Sequence, residues 1–226
     1  MIPNELKMEN ELNDAIFLKL KAIYGENARR FTPLIDTVKK LKGADCFFKE
    51  ALNFNDIRMS DFIVELLFTS YFCEEGYTVE IIPRSDNKRT PDLFISKSAF
   101  RGFVEIKHIH KKHDGPKEVL SDELPRTDIL EPYGDPVRDE KYCRDKILEG
   151  FQQIMQFSGL KNTDAMIVAI WNSDEELDEH DMKFSIRHLI EEKNEFENRP
   201  NPKLIVYCSE WHSLRQNTQF HLFQFQ

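Results

Sequence analysis

The chain has 226 residues, enough to bury a substantial core and better matched to one domain with additions than to two equal halves. Forty per cent of the residues are apolar and 18 are Phe, which excludes a disordered polypeptide. A formal charge of −9 excludes a simple nucleic-acid coat protein, because phosphate binding rests on fixed positive charge.

Residues 1–21 alternate charged and apolar side chains at helical spacing, with neither a basic leader nor an unbroken apolar core, so they read as neither signal peptide nor anchor. No stretch approaches the roughly 18 continuous apolar residues of a spanning helix, and a soluble, cytoplasmic protein without membrane contact is expected. Helical patterns run over 4–24, 33–52 and 56–72, the last capped by Asp56 or by Ser60, and Gly76 closes this helical part. Three β patterns follow at 77–82, 92–96 and 101–108, separated by a polar turn at 85–90 and a short loop. Residues 111–139 are polar, contain Pro116, Pro125, Pro132 and Pro136, and read as a long excursion from the core. Beyond them the patterns predict a helix over 140–157, a buried strand at 165–171, an acidic amphipathic helix over 181–197 and a buried strand at 204–208. Phe220, Leu222, Phe223 and Phe225 can supply a final edge strand.

This order predicts an α/β fold, a mixed sheet flanked by helices. Residues 1–55 form a helical N-terminal extension, and 56–226 form the core, with its insertion at 111–139. Cys46, Cys73, Cys143 and Cys208 are scattered without a CxxC pair and read as reduced thiols.

Charge is unevenly spread. Residues 84–117 hold nine Lys and Arg against four Asp and Glu, whereas 174–197 hold three against ten. The basic stretch offers a polyanion a landing surface on an acidic protein. The acidic helix is a solvent face that also suits a basic protein partner.

The chemistry-bearing stretch is Thr90-Pro91-Asp92-Leu93-Phe94-Ile95 followed by Arg101-Gly102-Phe103-Val104-Glu105-Ile106-Lys107. If Lys97 to Phe100 form a four-residue hairpin loop, Ser96 faces Arg101, and counting back in step sets Asp92 opposite Glu105. Directly opposed residues share a face about 4.5–5.5 Å apart at Cβ, where two carboxylates repel. A divalent cation turns that repulsion into coordination, and Mg²⁺ asks for only one or two carboxylates beside water and phosphate oxygens. Lys107, two residues past Glu105, falls on the same face, suitably placed to stabilise charge developing on a phosphate or its attacking water. Leu93, Ile95, Val104 and Ile106 form the opposite, apolar face, ready to pack on a helix. His108 and His110 also point away from Glu105 and Lys107, which favours a structural or surface role for them over a place in that site.

Pro91-Asp92 followed by Glu105-Ile106-Lys107, within the helix–three-strand–helix–strand order, resembles the signature of the PD-(D/E)xK, or restriction-endonuclease-like, nuclease superfamily over about residues 56–208. The resemblance implies that Asp92 and Glu105 bind Mg²⁺ or Mn²⁺ and that Lys107 assists the attacking water. It also implies a glutamate on the preceding helix, and Glu65 is the match, alone in an apolar run where an unpaired carboxylate is costly to bury. From the helix after the motif it implies a glutamine or a basic residue: Gln153 is the leading candidate, with Gln152, Gln156 and Lys146 beside it. Some members place Tyr four residues after that Gln; here the position is Phe157, without the hydroxyl.

Arg84, Lys88, Arg89, Lys111 and Lys112 flank this site from two loops as candidate phosphate contacts. The expected activity is metal-dependent hydrolysis of phosphodiester bonds in DNA, in a restriction or defence setting implied by family habit. Double-strand cutting ordinarily takes two active sites, so a homodimer is compatible with it. Two other readings stand beside this one: a non-catalytic module on the same scaffold that binds nucleic acid or protein, and a nuclease directed at RNA.

Overall fold

The computed structural model describes residues 4–84, 89–110, 136–173, 179–191, 200–209 and 221–225. Helix α1 (Asn4–Tyr24), a 3-10 helix (Gly25–Phe31), α2 (Thr32–Val38), α3 (Ala44–Ala51) and α4 (Asp56–Glu74) precede three strands, β1 (Thr78–Ile81), β2 (Leu93–Lys97) and β3 (Phe100–Ile109). They are followed by α5 (Pro136–Met155), β4 (Ala165–Asn172), α6 (Glu179–Glu191), β5 (Lys203–Ser209) and β6 (His221–Phe225). The six strands lie in sequence order in one sheet. β1, β2 and β3 form an antiparallel meander, β3, β4 and β5 run parallel, and β6 returns antiparallel on β5. The fold is thus mixed α/β with helices on both faces of the sheet, as the order of patterns predicts.

Alternation along the strands sorts side chains onto two apolar layers. Leu93, Ile95, Val104 and Ile106 pack with Phe47, Phe62 and Leu66 from α3 and α4. On the other face Phe103 and Ile109 pack with Ile147, Phe151 and Ile154 of α5 and with Ile186 of α6. β4 is buried along its whole length, as a parallel strand covered on both faces should be.

Several details depart from the expectations. The single helix expected over 33–52 is two, because Gly43 stands at φ +89° and Lys42 bridges to Glu80 beside β1. A Cβ at Gly43 would lie 2.1 Å from the Ile81 carbonyl oxygen, so only glycine permits this approach. The cap of α4 is neither Asp56 nor Ser60. Asn55, in extended conformation, accepts the Arg58 N–H at 2.9 Å, and Asp56 is already helical.

The β2–β3 turn is two residues rather than four. Lys97 pairs with Phe100, and Ser98 takes a left-handed φ of 55°. The register is unchanged, since Ser96 still faces Arg101. α5 begins at Pro136, so the end of the expected excursion is its first turn, while 111–135 fall outside the described residues. Of the acidic helix, the described part ends at Glu191, and 192–199 likewise fall outside. No described helix is long and apolar enough to cross a membrane. The described cysteines are all free.

Candidate active site

The β2–β3 ladder brings Asp92 beside Glu105. Leu93 pairs with Val104, and one step further back Asp92 N–H donates to the Val104 carbonyl at 2.9 Å. The Asp92 carboxylate then accepts the Ile106 N–H through Oδ2 at 2.7 Å. Glu105 is almost fully buried on the face covered by α5. Its Oε2 accepts from Gln153 Nε2 at 2.8 Å, and its Oε1 lies 3.1 Å from the Lys107 ammonium.

α5 holds this face by its periodicity. Residues 146, 149 and 153 stand three and four apart and so share one side of the helix. Gln153 also donates to the Thr90 carbonyl at 3.0 Å, tying α5 to the loop that leads into Asp92. Glu149 meets Lys107 at 3.6 Å and Lys146 at 3.4 Å. Gln152 and Gln156 are exposed, so Gln153 alone of the three reaches the site.

Glu65, on α4, approaches from the other side of the sheet edge and is paired with the Arg84 guanidinium. Arg84 is also 3.7 Å from Glu50 and 3.8 Å from Asp92, and lies over the Phe54 ring. A pocket lined by Phe47, Glu50, Glu65, Ile81, Arg84 and Asp92 opens at this point. Arg84 therefore turns into the acid cluster while remaining partly exposed. Of the other candidate phosphate contacts Arg89 is exposed, and Lys88, Lys111 and Lys112 lie outside the described residues.

The electrostatics are those of crowded, buried carboxylates. Burial, then the charge of Asp92, pushes Glu65 up to about 8. The same two causes push Glu105 up to about 9 against the pull of Lys107. Asp92 is raised by burial, with the Ile106 N–H, Arg84 and Lys107 opposing. Glu149 is partly buried, which alone would raise it, but Lys107 and Lys146 hold it below its ordinary value. Such a cluster is short of positive charge, and its oxygen donors suit a hard divalent ion.

Among the described residues, the one group of three ligating side chains with all donor atoms within 4.8 Å is Asp61, His108 and His110. Glu65, Asp92 and Glu105 are not gathered so closely. A hard ion here would rest on two carboxylates and reach the third through water, which is within the habits of Mg²⁺.

Sequence reasoning missed Glu149, Glu50 and Asp61. Glu149 was open to detection, because it stands four residues before Gln153 on the same helical face. Glu50 had no signal, since it reaches Arg84 only through the packing of α3 on α4. His108 and His110 do point away from Lys107, as strand alternation predicts, and both meet Asp61 of α4.

Compared with known proteins, the chain matches no family model, no curated protein and no solved structure.

Proposed function

We propose that the chain is a metal-dependent nuclease on a restriction-endonuclease-like scaffold, hydrolysing phosphodiester bonds in DNA with Mg²⁺ or Mn²⁺. The observation that carries this reading is the cluster of buried Glu105 with the half-buried Glu65 and Asp92, and Lys107 against Glu105. A scaffold selected for stability alone gains by replacing any of the three acids with an apolar residue. Retaining them is understandable where a cation and a phosphate complete the charge balance.

In this reading Asp92 and Glu105 hold the ion, and Glu65 orients or completes its surroundings. When bound, the ion supplies Lewis-acid polarisation of the phosphate and a more acidic water. The Ile106 N–H and the Gln153 amide fix the rotamers of Asp92 and Glu105, so the donor oxygens are in place before substrate arrives. Lys107 stabilises negative charge on the attacking oxygen and on the phosphoryl group, and Glu149 steadies its ammonium. Arg84 offsets negative charge among Glu50, Glu65 and Asp92 in the absence of an ion, and its partial exposure lets it exchange one of these partners for a substrate phosphate. Lys88, Arg89, Lys111 and Lys112 extend that phosphate contact. A restriction or defence role, with two copies cutting two strands, fits this chemistry.

One contact favours a second reading. Because Arg84 already places a positive charge between Glu65 and Asp92, the cluster can be a closed ion-pair network in a non-catalytic binding module. A cleavage panel of linear, circular and single-stranded DNA and of RNA, with Mg²⁺ or Mn²⁺, separates the readings. Cutting by the wild type that is abolished in Asp92→Ala, Glu105→Ala and Lys107→Ala, each with an unchanged circular dichroism spectrum, is expected. Equal cutting by all four proteins, or none by the wild type on any substrate, removes the nuclease reading.

A further inference from the structure

A second cluster of ligating side chains lies on the opposite face of the sheet from Glu105 and Lys107. Asp61 stands in the second turn of α4, His108 near the end of β3 and His110 just beyond it. Asp61 Oδ1 is 3.0 Å from His108 Nδ1 and 2.8 Å from His110 Nε2. The two imidazoles lie 3.9 Å apart at their centroids and are tilted by 41°. His108 is 8% exposed at its side chain, whereas Asp61 and His110 are 37% and 41% exposed, so the cluster has a wall and an open side.

We propose that Asp61, His108 and His110 form a binding site for a borderline divalent transition-metal ion, Zn²⁺ foremost, distinct from the hard-cation site at Asp92 and Glu105. The donor set of two imidazoles and one carboxylate suits Zn²⁺ and its first-row neighbours and does not suit Mg²⁺. The spacing fits as well. Two ligand atoms about 2.1 Å from a metal stand about 3.0 Å apart at right angles and about 3.4 Å apart in a tetrahedron, close to the Asp61 separations. Three protein ligands with one solvent-facing side leave at least one coordination position for water or another ligand.

The outer partners are also in place. His108 Nε2 is 2.8 Å from Ser173 Oγ, which in turn accepts the Trp171 indole N–H at 3.1 Å. Ser173 is fixed by its own N–H to the Ile109 carbonyl at 2.9 Å. A serine oxygen held this way can donate to Nε2 when His108 carries its proton on Nδ1 towards Asp61. It can equally accept from Nε2 when Nδ1 turns its lone pair to an ion. Binding therefore needs a proton to move or leave, not a side chain to swing.

The ion would pin the start of α4 to the ends of β3 and β4. Asp61 lies four residues before Glu65, about 6 Å earlier along the axis of the same helix.

The test is Zn²⁺ titration of the full chain by calorimetry in excess Mg²⁺, with Co²⁺ as an optical probe through its visible d–d absorption. One Zn²⁺ per chain is expected, displacing Co²⁺ and its colour. His110→Ala, at a half-exposed position that tolerates truncation, should weaken Zn²⁺ binding roughly 100-fold or more, and Ser173→Ala roughly tenfold. Asp92→Ala should keep Zn²⁺ binding, so failure of this site and failure of the nuclease reading are separable. Folded wild type that binds no Zn²⁺ overturns the proposal, as does His110→Ala that binds it as tightly as wild type.

Discussion

Glu65, pushed up to about 8, and Glu105, pushed up to about 9, both keep their protons in the folded protein at a pH where the unfolded chain has lost them. Below the ordinary value of 4.5 both states are protonated and neither is favoured. Above it the unfolded chain ionises first, so metal-free stability falls as pH rises, until the folded-state values of about 8 and about 9 are passed. The expected loss is on the order of a few kcal/mol, measurable by denaturant unfolding in chelator across that window. Glu105→Gln, which keeps the shape and removes one ionisation, should flatten its share of the slope; an unchanged slope would show that Glu105 titrates normally. Millimolar Mg²⁺ or Mn²⁺ should oppose the loss, because a bound ion favours the ionised carboxylates. Gln153 tests orientation at the same centre. Gln153→Ala removes the hydrogen bonds to Glu105 and to the Thr90 carbonyl. It should lower cleavage or ion affinity by roughly 10- to 100-fold while leaving the fold intact, whereas Gln152→Ala, on the exposed side, should do neither.

Helix α5 delivers Glu149 and Gln153 to the site only as accurately as it docks on β4. Gly150 makes that docking close: a Cβ there would stand 2.9 Å from both γ-carbons of Val168, a stiff β-branched side chain that cannot swing aside. Gly150→Ala should therefore cost about 1–3 kcal/mol through overpacking and lower cleavage in step with the displaced Gln153. Val168→Ala in the same chain should restore part of both, and an uncompensated double mutant would mean that the helix is positioned by other contacts. The elements themselves were largely legible in the sequence, because each has a strong period. The run from Asp92 to Lys107 alternates cleanly, and its register survives an error in turn length, since lengthening or shortening a hairpin loop symmetrically leaves Ser96 opposite Arg101. The break between α2 and α3 was not legible, because one glycine in a helical pattern reads as a tolerated defect. Its real cause, the close approach to Ile81, is a tertiary contact. The carboxylate partners of Arg84 were not legible for a similar reason: a basic residue beside a polar turn carries no sign of them, and only packing shows Glu50, Glu65 and Asp92 converging on it.

At the scale of the whole molecule the question is whether residues 1–55 are an appendage or part of the core. Ile16 and Leu20 of α1 and Phe47 and Phe48 of α3 belong to the same buried cluster as Phe62 and Leu66 of α4 and Val104 of the sheet. The Phe47 and Phe62 rings lie 4.7 Å apart, and Lys19 donates to the Leu52 carbonyl at 2.7 Å. Glu50, which meets Arg84 at the acid cluster, also comes from this segment. Elements that share one core lose their burial together, so the chain should unfold in a single transition, with tryptophan fluorescence and far-ultraviolet circular dichroism giving the same midpoint. Phe48→Ala, at a fully buried position, should cost roughly 3–5 kcal/mol and shift both probes equally. A chain starting at Asp56 would expose the faces of Phe62 and Leu66 that now meet α3, and should be insoluble or unfolded. If that shortened chain instead folded with the midpoint of the whole protein, the N-terminal helices would be a separate unit, and Glu50 could have no part in holding Arg84 at the site.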